Sequence, residues 1–152
     1  MRTGVRLGVD VGTVRVGVAR SDLHGMLATP VETVARGDGD VRRVLALAAE
    51  LDAIEVVVGL PLALSGRATA STDDARAFAQ RLATGGVAVR LVDERLSTVS
   101  ANAAIRTSGR SQKQSRSVID QVAAVIILQH ALDHERAGAS LPGTLVNPDE
   151  GL

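Results

Sequence analysis

Apolar positions along the chain fall into short runs with two different periods. Residues 5–9 (Val-Arg-Leu-Gly-Val) and 14–19 read as strands on either side of Asp10-Val-Gly-Thr, which predicts a hairpin whose tight turn uses the backbone freedom of Gly12. Residues 26–34 form a third extended segment. There Pro30 biases Thr29 toward extended geometry and removes a ladder donor, which favours a sheet edge. A three-strand antiparallel meander follows.

Beyond residue 40 the period lengthens. Asp40 is placed to cap a helix over 41–51, where Val41, Val44, Leu45 and Ala48 repeat at helical spacing. Residues 55–59 (Glu-Val-Val-Val-Gly) are a continuous apolar run closed by Gly59 and Pro61, the pattern of a strand buried on both faces. Ser71, Thr72 or Asp73 caps a helix to Thr84, which Gly85-Gly86 stops, and 87–92 is again a buried strand. Strand, helix and strand in that order predict a parallel crossover. Ser97 is a cap for a helix over 98–106 that Gly109 ends. A long last helix over 117–136 has a broad apolar face through Val118, Val122, Val125, Ile126 and Leu132. The expectation is a single α/β domain over residues 1–136, with a mixed central sheet (an antiparallel meander plus parallel strands) flanked by helices, and a flexible tail over 137–152.

Composition narrows the chemistry. The 152 residues, 45% hydrophobic, suffice for one well-filled core and are too few for two substantial domains. The absence of cysteine excludes a disulfide framework, a thiol nucleophile and a cysteine zinc site. The first residues run directly into a strand, and no charge-free stretch of about 18 residues occurs, so no membrane association and a cytoplasmic location are expected. Net charge is zero, so a polyanion would have to be met locally. The segment 106–116 supplies Arg106, Arg110, Lys113 and Arg116 with no acid between them; alone it is a solvated connection, and beside an acid cluster that binds metal it becomes a phosphate contact. Phe78 is the sole Phe, Tyr or Trp, which leaves no platform for stacking splayed bases.

Three carboxylates stand at element ends, where a compact α/β domain brings distant sequence into one cleft. They are Asp10 after the first strand, Glu94 after the strand over 87–92, and Asp120 in the first turn of the last helix. Converging acids without histidine or cysteine point to a divalent metal. Each has a plainer reading. Asp10 is also a turn acid that accepts backbone hydrogen bonds. Glu94 lies between Asp93 and Arg95, where a surface ion pair is ordinary, and strand alternation is what makes Glu94 the inward acid rather than Asp93. Asp120 complements a helix dipole whatever its role, although the apolar residues around it ask for a partner such as a cation. His130 and His134 lie one helical turn apart, but without a glutamate between them as in the metalloprotease motif they read as solvated. Gly59-Leu-Pro-Leu62 is either an ordinary turn or a place where a substrate backbone comes close. The helix start near Ser71 either holds a phosphate or is merely capped.

Four blocks, Asp-Val-Gly-Thr-Val-Arg-Val-Gly-Val-Ala (10–19), Val-Gly-Leu-Pro-Leu (58–62), Asp-Glu-Arg-Leu-Ser-Thr (93–98) and Asp-Gln-Val-Ala-Ala-Val-Ile-Ile-Leu (120–128), occur in an order and spacing that resembles the RuvX (YqgF) family of bacterial nucleases. The resemblance runs from Leu7 to about Leu132. It implies an RNase H-like fold, similarity to Holliday junction resolvases and a role in maturing the 5′ end of pre-16S ribosomal RNA. By the same resemblance Asp10, Glu94 and Asp120 occupy the catalytic acidic positions. Such hard oxygen ligands suit Mg²⁺ or Mn²⁺, and two such ions about 3.5–4 Å apart activate water and stabilise the leaving oxygen of a phosphodiester. Arg15, Arg95, Arg110, Lys113 and Arg116 are the candidate phosphate contacts. The chain departs from the family pattern at Val118, where many members carry lysine, and at Ala63, where a polar residue is common; both bear on substrate grip. Branched DNA is the alternative substrate, and paired cuts on a junction imply a homodimer. Two other classes share parts of the pattern. The Asp-x-Gly-Thr hairpin also begins actin-like and sugar-kinase ATPases, which need a second domain, and a ribosome-assembly factor could use the acids without catalysis.

Overall fold

In the computed structural model, residues 1–94, 112–138 and 140–148 are described, the stretch 112–120 by its backbone alone. Six strands form one sheet: β1 (Arg6–Val11), β2 (Arg15–Ser21), β3 (Ala28–Ala35), β4 (Glu55–Leu60), β5 (Val89–Asp93) and β6 (Thr144–Leu145). The helices are α1 (Asp40–Glu50), α2 (Ala70–Thr84) and α3 (Gln112–Arg136). Strand order is β3-β2-β1-β4-β5-β6. The meander β1–β2–β3 is antiparallel, and β4 joins parallel to both β1 and β5, as the sequence pattern predicts. Pro30 sits on the edge strand β3 opposite Ala19, beside a register shift at Val18/Ala19.

Alternation along the strands decides which face each residue serves. Leu7, Val9, Val11, Val56, Val58 and Val89 pack with Val44 and Leu47 of α1 and Ala75, Phe78 and Leu82 of α2. Val57 joins Ala19, Ala28 and the α3 residues Ala124, Ile127, Leu128, Ala131 and Leu132 in a second core on the other face. Gly8 sets how closely α3 approaches. A Cβ there would lie 2.6 Å from Leu128 Cβ and 2.8 Å from the Ala124 carbonyl, so any larger residue would push the helix off the sheet.

Element ends differ from the sequence reading in instructive ways. Helix α1 starts at Asp40 itself, with Gly39 as N-cap at φ 95°. Asp40 is buried instead, accepting from the Gly37 and Val41 amides and from Arg36 Nε. Helix α2 is capped by Thr69, not by residues 71–73; Thr69 and Thr72 exchange backbone and side-chain hydrogen bonds as a capping box. Helix α3 begins five residues before the predicted start, which puts Lys113 and Arg116 on a helix rather than in a loop. The residues Gln-Lys-Gln-Ser-Arg (112–116) contain no glycine or proline to stop it. The helix expected over 98–106 lies outside the described residues. Within the stretch read as a tail, Thr144 and Leu145 pair antiparallel with β5, the Val146 amide donates to the Val89 carbonyl, and Gln80 Nε2 donates to the Asn147 and Pro148 carbonyls.

Candidate active site

Asp10, Gly59 and Glu94 meet at the carboxy-terminal ends of the parallel strands. Leu7, Val9 and Val11 face α1 and α2, so alternation turns Asp10, like Gly8, toward α3. Register places Val9 beside Val58 and Gly59 beside Val92, which puts Glu94 one step beyond the end of β5 on that same face. The Glu94 amide donates to the Leu60 carbonyl at 3.3 Å and anchors the residue to the end of β4.

Glu94 is the buried acid, 6% exposed, whereas Asp93 is exposed. Its carboxylate folds over Gly59, so that a Cβ on Gly59 would lie 2.3 Å from Glu94 Oε2 and 2.5 Å from Ile127 Cδ1. The space that glycine leaves at this position is taken by the acid from the neighbouring strand. Burial, the nearby Asp10 charge, a hydrogen bond shared with Asp10 and the Asp93 charge together push the Glu94 carboxyl up to about 8. Its Oε2 atom is buried without a hydrogen-bond partner among the described residues. A buried acceptor left open beside a second carboxylate is the electrostatic arrangement that a bound cation relieves. The donor set, all oxygen, fits a hard divalent ion. Among the described residues there is no group of three His, Cys, Asp or Glu that could hold a metal. The third expected acid, Asp120, lies on α3 where only the backbone is described.

The turn that carries Asp10 is closed by the Gly12 amide donating to the Arg15 carbonyl at 2.9 Å. Arg15, a candidate phosphate contact, starts β2 at the far side of that turn and is partly buried. Arg95 and Arg110 lie outside the described residues; Lys113 and Arg116 lie in the first turns of α3, and their side chains are not described. The loop after β4 is closed on itself by hydrogen bonds. Leu62 bridges to Ala68, the Ala63 amide donates to the Arg67 carbonyl, and Thr72 Oγ1 donates to the Pro61 carbonyl. This last bond ties the exit of β4 to the capping box of α2, so that helix start is capped by protein atoms. Beside Glu94, a cavity of about 190 Å³ is lined by Val92, Asp93, Ile127, His130, His134 and Pro142, among others. Both histidines are exposed, and His134 Nε2 lies 3.0 Å from Ser140 Oγ.

The RuvX family model, described as Holliday junction resolvase, matches residues 4–134. The chain belongs to the RuvX family. Its relatives agree over nearly the whole length. A Clavibacter michiganensis subsp. michiganensis protein named "Putative pre-16S rRNA nuclease" is 67% identical over 150 residues, which are 96% of this chain and 93% of that protein. A protein of the same name from Leifsonia xyli subsp. xyli is 63% identical over 154 residues, 99% of each. Among solved structures, Thermus thermophilus RuvC in complex with a Holliday junction substrate superposes with a TM-score of 0.59 at 16% identity, covering 91% of this chain and 99% of that one. The RuvX chain therefore has the RNase H-like fold of RuvC, as its motifs imply.

One residue of this site was not singled out by sequence reasoning. Arg36, at the end of β3, donates to the Gly12 carbonyl from across the meander. A lone arginine after a strand carries no local signal for such a contact.

Proposed function

We propose that this RuvX protein is a metal-dependent endonuclease that hydrolyses phosphodiester bonds in structured nucleic acid, and that its substrate is the 5′ end of pre-16S rRNA. The observation that carries the reading is the pairing of buried Glu94 with half-buried Asp10, with one Glu94 carboxylate oxygen open and a glycine clearing the space around it. The name shared by relatives at 63–67% identity supports the choice of substrate. Asp10, Glu94 and Asp120 hold Mg²⁺ or Mn²⁺ in this reading, and bound ions of this type activate water and stabilise the leaving oxygen. The protein's own part is to bring the two acids together and to fix their orientation, through the Glu94 amide bond to the Leu60 carbonyl and the space left by Gly59. Arg15, Arg95, Arg110, Lys113 and Arg116 hold phosphates, within a nuclease domain spanning residues 1–136. No helix among the described residues is long and apolar enough to cross a membrane, and cytoplasmic action is part of the proposal.

The description of the family model favours a second reading, a resolvase that makes paired cuts in a four-way DNA junction as a homodimer. One experiment separates the two. Purified wild type and Asp10→Asn are given a labelled pre-16S leader and a labelled junction with Mg²⁺ or Mn²⁺. Leader cleavage that Asp10→Asn abolishes is expected. Junction cleavage instead would select the resolvase, and binding of either substrate without cleavage by the wild type would replace both with an assembly factor.

A further inference from the structure

Arg36 gathers more of the site's surroundings than any single contact of Asp10 shows. Its side chain is 17% exposed and lies between β3 and the starts of α1 and α2. Nη1 donates to the Gly12 carbonyl at 2.7 Å and to Asp74 Oδ2 at 2.7 Å; Nη2 donates to Asp74 Oδ1 at 2.9 Å; Nε donates to Asp40 Oδ2 at 3.0 Å. The guanidinium carbon stands 5.6 Å from the Phe78 ring centre, and the Arg36 amide donates to the Val14 carbonyl. The planar fork is thus held by two acids on two helices and a ring, and its remaining reach goes to the main chain of the turn over residues 10–15. Such a bidentate and stacked arrangement is specific to arginine, because a lysine ammonium has no fork to share between Asp74 and Gly12.

Resting on the reading of Asp10 as a metal ligand, we infer that Arg36 is a positioning residue: by clamping the Gly12 carbonyl to the starts of α1 and α2, it sets the turn that aims Asp10 at Glu94. Glu94 and Asp10 share a hydrogen bond, so their meeting depends on where the turn after β1 places Asp10. Arg36 is fixed from three sides at the Gly12 carbonyl, two residues beyond Asp10. It touches neither acid, so its loss should affect alignment and leave substrate affinity alone.

The test uses the full chain with Mn²⁺ and the pre-16S leader. Arg36→Lys should fold normally and lower kcat by about tenfold to a hundredfold, the cost typical of a misplacement near 1 Å, with KM changed less than about twofold. Arg36→Ala should lose more, and guanidinium at millimolar concentration should restore part of its kcat but none of that of Arg36→Lys, whose ammonium occupies the site. A readout independent of cleavage is amide hydrogen exchange, which should accelerate over residues 10–15 in both variants and stay unchanged in β4 and β5. If Arg36→Ala does not fold, Asp74→Asn, which removes one anchor of the fork, should reproduce the Arg36→Lys pattern in weaker form. Unchanged kcat with unchanged exchange at 10–15 would overturn the inference, as would a rise confined to KM, which would make Arg36 a substrate contact. If the wild type cleaves neither leader nor junction, the nuclease reading fails, and the exchange data alone decide whether Arg36 holds the turn.

Discussion

Acids gather at opposite ends of the same parallel strands, and they are handled in opposite ways. At the amino-terminal ends, Glu55 and Glu135 are 2% and 8% exposed, and arginines surround them. Arg2 Nη2 reaches Glu55 at 3.0 Å and Glu135 at 2.6 Å, Arg6 Nη2 reaches Glu135 at 2.8 Å, and Arg90 Nε reaches Glu55 at 2.7 Å. The Arg2 hydrogen bonds, aided by the Arg6 charge, hold the Glu135 carboxyl down to about 2. At the carboxy-terminal ends Glu94 faces another acid, and its carboxyl rises to about 8. The side-chain type is the same at both ends; what differs is the company. A carboxylate buried to secure the fold arrives with its counter-charge, whereas one buried without it costs stability that only an incoming ligand can return.

Neutralising the two ends should therefore have opposite consequences. Glu94→Gln should lower cleavage by about a thousandfold or more, roughly 4 kcal/mol in the barrier, while leaving the metal-free protein equally or more stable. Parallel activity and urea-denaturation measurements check this, and a clear loss of stability would show that the pair is structural. Glu135→Gln should do the reverse. Leaving Arg6 buried without its acid, while half-buried Arg2 keeps Glu55, costs about 3–5 kcal/mol, read as a fall in the urea midpoint, and activity per folded molecule should hold.

Gly59→Ala probes the space between the acids. With a Cβ 2.3 Å from Glu94 Oε2, the carboxylate must leave its place. Stability should fall by about 1–3 kcal/mol, as for overpacking elsewhere, and Mn²⁺ affinity measured by calorimetry should fall with it. An alanine variant that binds Mn²⁺ like wild type would mean that the cradle does not matter.

The two ends also differ in their response to pH. Glu135 is depressed from 4.5 to about 2, so the unfolded chain takes up its proton first as pH falls; the stabilisation is complete above about 4.5 and lost between 4.5 and 2, at most about 3 kcal/mol. Glu94 is raised from 4.5 to about 8, so the folded state holds the extra proton, and metal-free stability should decline as pH rises between 4.5 and 8. Urea midpoints across pH in a chelator should show both arms. Glu135→Gln should remove the acid arm and Glu94→Gln the alkaline one; an alkaline arm that persists in Glu94→Gln would assign it to another group.

Much of the architecture was legible from local pattern. The strand periods, the Asp10 hairpin, the edge position of Pro30 and the β-α-β order all depend on residues within a few positions of each other, and side-chain alternation correctly chose Glu94 over Asp93 as the buried acid. Helix starts were less legible, because several polar residues compete for each cap. Asp40 looked like a cap and became a buried ion-pair partner of Arg36, and Thr69 took the role expected of residues 71–73.

Which residues alternate, which break a run and which four blocks place the chain in its family are properties of neighbours along the chain, and they were readable without coordinates. Which charges are compensated follows from the three-dimensional packing alone. Arg2 and Glu135 lie 133 residues apart, Arg36 and Gly12 24 apart, and Gly59 makes room for a carboxylate 35 positions later. Long-range pairing depends on strand order and register, and the energy of a buried charge depends on what surrounds it in space.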